Sequence, residues 1–182
     1  MFSRIKKQLL ELASRVRGVG RVPPTLRIIE VDDAAPLAAD LFFRAFRQAL
    51  PDFPRHFVLL CEPAGEKPFA LGYVHHTSFE SGYLAGGLVV DAWKFRKLGK
   101  AEKQAIRRRG GMAQWLVAES CRRVGPCDAV FACIGDAASL TVNARIGFCP
   151  TGHPYLHVLA SPSARQDAVA ALTERVAAKG LF

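Results

Sequence analysis

Arg107, Arg108 and Arg109 run directly into Gly110 and Gly111, and an apolar stretch, MAQWLVAESCRRV, follows at once. This is a helix whose mouth carries much positive charge and little side chain. The first N–H groups of a helix have no intrahelical acceptor, and the helix dipole adds roughly half a positive charge there. Glycines without a Cβ let a ligand approach the backbone, and arginine pairs with phosphate oxygens. The chemistry is that of an anion site at a helix N-terminus, set against the plainer reading of a solvated basic loop. The stretch matches neither GxxxxGK[ST] nor GxGxxG.

Several elements must position this turn. Leu26 to Val31 reads as a strand. Asp32 and Asp33 offer an N-cap to a helix over Pro36 to Leu50, with Leu37, Leu41, Phe42 and Phe46 on its stripe. His56 to Glu62, Phe69 to Phe79 and Tyr83 to Asp91 read as three strands joined by short turns, hence an antiparallel meander. The basic segment AWKFRKLGKAEKQAIRRR reads as a solvated loop or short helix. Met112 to Val124 is a helix with Ala113, Leu116, Val117, Cys121 and Val124 inward. Cys127 to Gly135 is a strand buried on both faces. Asp136 caps a helix that stops at Gly147, and Tyr155 to Ala160 is a further strand. Ser161-Pro162 opens a final helix that runs to about Lys179. The order predicts an α/β layered domain with a mixed sheet.

Composition bounds the function. The chain has 182 residues, half of them hydrophobic and 23% charged, and a net charge of +9. This is globular composition, and the charge favours an anionic partner without naming it. No apolar run reaches the ~18 residues of a membrane span, and the N-terminus lacks the apolar core of a secretory signal. Five cysteines, Cys61, Cys121, Cys127, Cys133 and Cys149, form no CxxC pair, so reduced core thiols are expected and no metal site. Both points lead to an expected cytoplasmic location. Ile5, Leu9, Leu12 and Val16 give residues 1–24 the pattern of a basic amphipathic helix and a linker, GVGRVPP. The expected organisation is therefore residues 1–24, a main domain over 25–160, and a C-terminal helix over 161–182.

Arg108-Arg109-Gly110-Gly111-Met112-Ala113 fits Arg/Gln-x-x-Gly-x-Gly/Ala. A strand and a second helix ending in Gly147-Phe148 follow, with Asp136 and Ser139 at its start. The segment from about Leu26 to Ala160 thereby resembles the GNAT superfamily of acyl-CoA-dependent N-acyltransferases. The resemblance implies a GNAT-like, mainly antiparallel mixed sheet flanked by helices, here with extra terminal helices. It implies acetyl transfer from acetyl-CoA, as co-substrate, to an amine of a small molecule or protein by direct attack. The turn at Arg108, Arg109, Gly110, Gly111, Met112 and Ala113 would hold the pyrophosphate. The strand Gly87 to Asp91 would hold the pantetheine arm, with a backbone N–H among Leu88, Val89 and Val90 facing the oxyanion. Ser139 and Asn143 would face the cofactor from the second helix.

The sequence departs from the family in two places. The insert between Asp91 and Arg108 is long. Asn143 stands where many relatives carry a Tyr that protonates the leaving thiolate, and Asn is no acid. Base candidates are His75, His76, Glu80 and Asp91, and adjacent strand residues face opposite ways, so at most one histidine enters the cleft. Tyr155 and His153 are candidate acids. Cys133 and Cys149 have no visible activating partner. Three readings follow: an N-acetyltransferase, a non-catalytic acyl-CoA-binding module, and a nucleic-acid-binding protein. The expected partners are acetyl-CoA and an unidentified amine, with no stable nucleic-acid complex and a homodimer as a possible state. The expected acyl group is acetyl or longer.

Overall fold

The computed structural model describes residues 22–52, 55–180 and 182. The expected basic helix with Ile5, Leu9, Leu12 and Val16 lies outside the described residues. The elements, in chain order, are β1 (Leu26–Val31), α1 (Ala35–Phe46), β2 (Arg55–Cys61), β3 (Phe69–Phe79), β4 (Gly82–Val90), α2 (Ala92–Lys97), α3 (Lys100–Arg108) and α4 (Met112–Arg123). They continue with β5 (Ala129–Cys133), α5 (Ala137–Ile146), β6 (Cys149–Pro150), β7 (Leu156–Ala160) and α6 (Gln166–Lys179).

The strands form one sheet in the order β1-β2-β3-β4-β5-β7-β6. Every neighbouring pair is antiparallel except β4 and β5, which are parallel. The fold is thus a mixed, mainly antiparallel α/β sheet flanked by helices, as the element order implied. Alternation along the strands sends residues to two faces. On one face Phe57, Leu59, Leu71, Val74 and Val130 pack with Leu116 and Val117 of α4. On the other, Val58, Leu60 and Tyr73 meet Ala38, Leu41 and Phe42 of α1. Farther along that face, Leu84, Ala129 and Phe131 pack under Leu172 and Val176 of α6.

Several expected boundaries shift for local reasons. The first helix stops at Phe46, because Arg47 turns left-handed (φ 56°) and its N–H bonds the Phe43 carbonyl. Ala34, not an aspartate, is its N-cap residue, while Asp33 Oδ1 accepts the Ala35 N–H from one position outside. The basic insert folds as two helices. Asp91 caps α2, its Oδ1 accepting the Lys94 N–H, and Leu98, Ala105 and Ile106 bury an apolar edge. The last helix begins at Gln166 rather than at Ser161-Pro162. The Ser161 N–H is bound to the Asp128 carbonyl, which keeps Ser161 in the turn after β7. The inward face of α4 is Met112, Leu116, Val117 and Ser120, with Ala113 and Cys121 only half-buried. Among the cysteines Cys61 is buried and Cys149 exposed, which departs from a uniformly core set. No helix among the described residues is long and apolar enough to cross a membrane.

Candidate active site

The site begins where two parallel strands part. β4 and β5 pair only from Gly82–Ala129 to Ala85–Ala132, yet β4 continues to Val90. The parting coincides with a bulge: the β3–β4 register shifts between Tyr73 and His75, and Gly87 sits at φ 63°. A bulge with a left-handed glycine bends its strand and strengthens the twist. Beyond it, β4 keeps β3 on one side only. The Asp91 N–H donates to the Leu71 carbonyl, on the β3 side. Alternation then turns the backbone N–H and C=O of Val90 and Leu88 to the opposite edge, where β5 has departed. Val89 pairs with Tyr73 and packs toward α1, whereas Leu88 and Val90 pack on the α4 side.

The N-terminus of α4 is built by two glycines. Gly110 (φ 83°) and Gly111 (φ 102°) are both left-handed, a conformation that L side chains seldom adopt. Their own N–H groups are taken by the Arg107 and Ile106 carbonyls. The first intrahelical donor is Trp115, bonded to the Gly111 carbonyl at 3.1 Å. The N–H groups of Met112, Ala113 and Gln114 precede it and have no acceptor within the helix. A Cβ built on Gly111 meets nothing within 4 Å, so the approach is open. A Cβ on Gly110 would instead lie 2.2 Å from Gln114 Oε1, an oxygen that is buried without a hydrogen-bond partner. Met112 is buried and Ala113 half-buried, so it is backbone that faces the open side. Arg107 and Arg108 are exposed. Arg109 donates to the Ala105 carbonyl and lies over the Trp115 ring at 5.0 Å. The donor set fits the pyrophosphate of a nucleotide: backbone N–H groups, a bare glycine, and guanidinium groups beside them.

The two adjacent histidines separate, as alternation demands. His76 is fully buried on the α4 face. Ser120 Oγ donates to the Val117 carbonyl, so it accepts from His76 Nε2–H at 2.8 Å. His76 Nδ1 is then a bare acceptor without a partner. Burial, with His75 and Arg55 nearby, pushes its pKa down to about 3. His76 is therefore a neutral core residue. His75 lies on the opposite face, against the bulge. A Cβ on Gly86 would sit 2.7 Å from its Nε2, and one on Gly87 would sit 2.7 Å from both Cε1 and Nδ1. Its ring is 6.3 Å from that of Phe42. Burial, and secondarily His56, lowers its pKa to about 4, which keeps it neutral near pH 7. Tyr73 Oη is 3.2 Å from His75 Nδ1 and 2.7 Å from His56 Nδ1.

Other candidates lie elsewhere. Glu80 sits in the β3–β4 turn (φ 51°), at the end of β4 away from the parting, and pairs with Arg175 of α6 at 2.7 Å. Asp91 is buried. Its oxygens hold the Lys94 N–H and the Arg44 guanidinium, at 2.9 and 2.8 Å. Burial alone would raise its pKa, but those two bonds outweigh it and hold the carboxyl below its usual value. Asp91 is thus a fixed anion that clamps α1 to α2 rather than a base. Tyr155 is exposed, in a left-handed turn (φ 62°), and its carbonyl accepts the Ile134 N–H just past β5, at the parted end of the sheet. His153 faces Glu174 of α6 at 3.1 Å. On α5, Asp136 Oδ1 accepts the Ala138 and Ser139 N–H groups. Asn143 is buried and its Nδ2 donates to the Ser139 carbonyl. Cys133 is half-buried, with a thiol pKa raised by burial.

The structure thus brings His75, Leu88, Val90 and Tyr155 to the parted end of the sheet, buries His76 beneath α4, and places Glu80 at the far end of β4. It also adds Tyr73, His56 and Phe42. The i, i+2 spacing of Tyr73 and His75 was visible in the sequence; the His56 contact follows from strand register.

No protein-family model matches the chain, and no curated protein does. Among solved structures, the KacTA–DNA complex is similar at 18% identity, over 82% of this chain and 99% of that one, with a TM-score of 0.45. A mutant AtaT toxin bound to the C-terminus of the antitoxin AtaR is similar at 18% identity, over 81% and 98% of the two chains, with a TM-score of 0.45. AtaTR bound with AcCoA is similar at 19% identity, over 82% and 99%, with a TM-score of 0.42.

Proposed function

We propose that this chain is a GNAT-type acyl-CoA-dependent N-acyltransferase that moves an acetyl group from acetyl-CoA to an amine. The observation that carries the reading is the parting of β4 from β5 beyond Ala85, with the open α4 N-terminus nearby in the fold. The inner edge left on β4 suits an extended amide chain, which adds to a sheet edge through main-chain hydrogen bonds. Leu88 and Val90 would hold the pantetheine arm. Met112, Ala113 and Gln114 N–H groups would hold the pyrophosphate beside Gly111, with Arg108 and Arg109 adding charge. A backbone N–H turned to that edge would stabilise the oxyanion as the amine attacks the thioester.

The attacking amine must shed a proton, and His75 is the base that the site supports. It is neutral at pH 7 and seated at the bulge. Asn143 supplies no proton, so Tyr155 or water protonates the departing thiolate. Asn143 also motivates a second reading, a module that binds acyl-CoA without turnover.

Calorimetric titration with acetyl-CoA tests the site. Micromolar affinity, about −8 kcal/mol, is expected for the native chain. Its loss is expected in a folded Gly111→Glu variant, whose anionic side chain would enter the phosphate position. A folded native chain that takes up no acetyl-CoA refutes both readings. Binding without thiol release across a panel of primary amines would leave the module.

A further inference from the structure

We propose that Tyr73 and His56 form a proton path that drains His75 through the sheet, away from the acyl-transfer site. The inference rests on the acyltransferase reading of that site. Its basis is geometric. Tyr73 and His75 share a face of β3, and antiparallel register sets His56 of β2 opposite His75. One phenol oxygen is thereby within hydrogen-bond distance of two imidazole Nδ1 atoms, at 2.7 and 3.2 Å. A hydroxyl has one proton, so it donates to one ring and accepts from the other. The chain therefore has a polarity, and two polarities are available to it.

In the starting polarity His75 Nε2 is bare at the bulge and His75 Nδ1–H donates to Tyr73 Oη. The Tyr73 hydroxyl donates to His56 Nδ1, and His56 carries its other proton on Nε2. When the amine's proton reaches His75 Nε2, the Nδ1 proton passes to Tyr73 and the Tyr73 proton passes to His56 Nδ1. His56 then releases its Nε2 proton. One proton enters and one leaves, no bond between heavy atoms changes, both imidazoles end as the other tautomer, and no tyrosinate forms. That last point suits the site, because burial holds the Tyr73 phenol above its ordinary pKa. The chain resets after the product leaves: His75 Nε2 gives its proton to water in the opened site, Tyr73 returns one to His75 Nδ1, His56 returns one to Tyr73, and His56 Nε2 takes one from solvent.

The surroundings give the path a direction. Around His75, α1 presents the apolar Phe42 and β4 presents Gly86 and Gly87, so the acting titratable groups are Tyr73 and His56. Around His56, Asp32 and Asp33 of the β1–α1 loop and Asp52 before β2 all favour the cation, although burial outweighs them. A proton leaving the site moves toward carboxylates. Tyr73 and His56 touch no substrate and act through His75 as positioning and relay residues.

Thiol release from acetyl-CoA, with a primary amine accepted from the panel, tests this over pH 5.5 to 9. Tyr73→Phe keeps the ring and removes the hydroxyl. His56→Asn keeps a hydrogen-bonding side chain but cannot exchange tautomers. Each is expected to lower kcat by about ten- to a hundredfold. The acetyl-CoA Kd should stay unchanged, and added imidazole should restore part of the rate. Recovery by imidazole separates a lost path from a packing defect. A Tyr73→Phe enzyme with native kcat and pH profile overturns the path while leaving the acyltransferase reading intact. So does a loss that imidazole does not restore. A native chain without thiol release for any amine removes the reading on which the path rests.

Discussion

Three glycines allow the seating of His75 to be measured without any ligand. Gly125 is left-handed (φ 96°) and a Cβ there meets nothing within 4 Å. Gly86 carries no left-handed backbone, but its Cβ would lie 2.7 Å from His75 Nε2. Gly87 combines both: φ 63°, and a Cβ at 2.7 Å from His75 and also from Phe42 Cε2. Gly125→Ala therefore reports backbone strain alone, about 1 kcal/mol. Gly86→Ala reports the contact alone. Turning the ring away from Tyr73 costs about 1 kcal/mol for the hydrogen bond and about 1 kcal/mol for an off-rotamer side chain. Gly87→Ala should cost about 3–4 kcal/mol, strain plus overpacking between two rings. For a chain of this length that lowers Tm by roughly 6–16 °C. Urea unfolding at pH 7.5 measures all three. Pairing Gly87→Ala with His75→Ala should show a coupling of about 1–2 kcal/mol, since only the Phe42 contact then remains. If Gly87→Ala costs no more than Gly125→Ala, His75 does not occupy the bulge and the base assignment falls with it.

Three further outcomes are expected. Below pH 6.5 the unfolded chain binds protons that folded His75 and His76, with pKa values of about 4 and 3, do not take. Stability should thus fall with pH from 6.5 toward 4, by up to about 1.4 kcal/mol per pH unit for each histidine. His75→Gln should make that slope shallower in urea melts at pH 5 to 7, and an unaltered slope would contradict the neutral state. Asp91→Asn retains a capping side chain but loses the charge facing Arg44. It should cost about 1 kcal/mol and Asp91→Ala about 2–3 kcal/mol by the same measurement; equal costs would deny the clamp. Glu80→Gln should change stability by less than about 0.5 kcal/mol and leave thiol release intact, because its partner is the exposed Arg175; a large rate loss would return Glu80 to the list of bases.

What the sequence disclosed followed from local physics. The strand Phe69–Phe79 was legible to its end residues, because an apolar, aromatic-containing run lies between the turn residues PAGEK and ESG. Asp136 and Gly147 announced both ends of α5 by capping chemistry. Gly110 and Gly111 announced the open N-terminus of α4 because neither carries a Cβ, and the structure adds that both have φ above zero. The helices of the insert were masked by charge, although Asp91 as a cap and Leu98, Ala105 and Ile106 as an apolar edge were present. The parting of β4 from β5 was not legible. It depends on how far two strands distant in sequence stay in register, which no local pattern states. The same holds for His56, which joins Tyr73 through strand pairing, and for Arg175, which meets Glu80 across 95 residues.

The seam between β4 and β5 has a mechanical consequence. Four residue pairs, from Gly82–Ala129 to Ala85–Ala132, are the whole ladder joining the four-stranded half of the sheet to the three-stranded half. α1 packs over the four-stranded half, whereas α6 straddles the seam, over Leu84 of β4 and over Ala129 and Phe131 of β5. Shear along the seam is therefore resisted by this short ladder and by α4 and α6, which both pack across it. An extended chain lying along Leu88 and Val90 would lengthen the ladder and stiffen that direction. The ligand would then serve as a temporary splice in the scaffold, and slow amide hydrogen exchange across β5 and β7 would track its residence time.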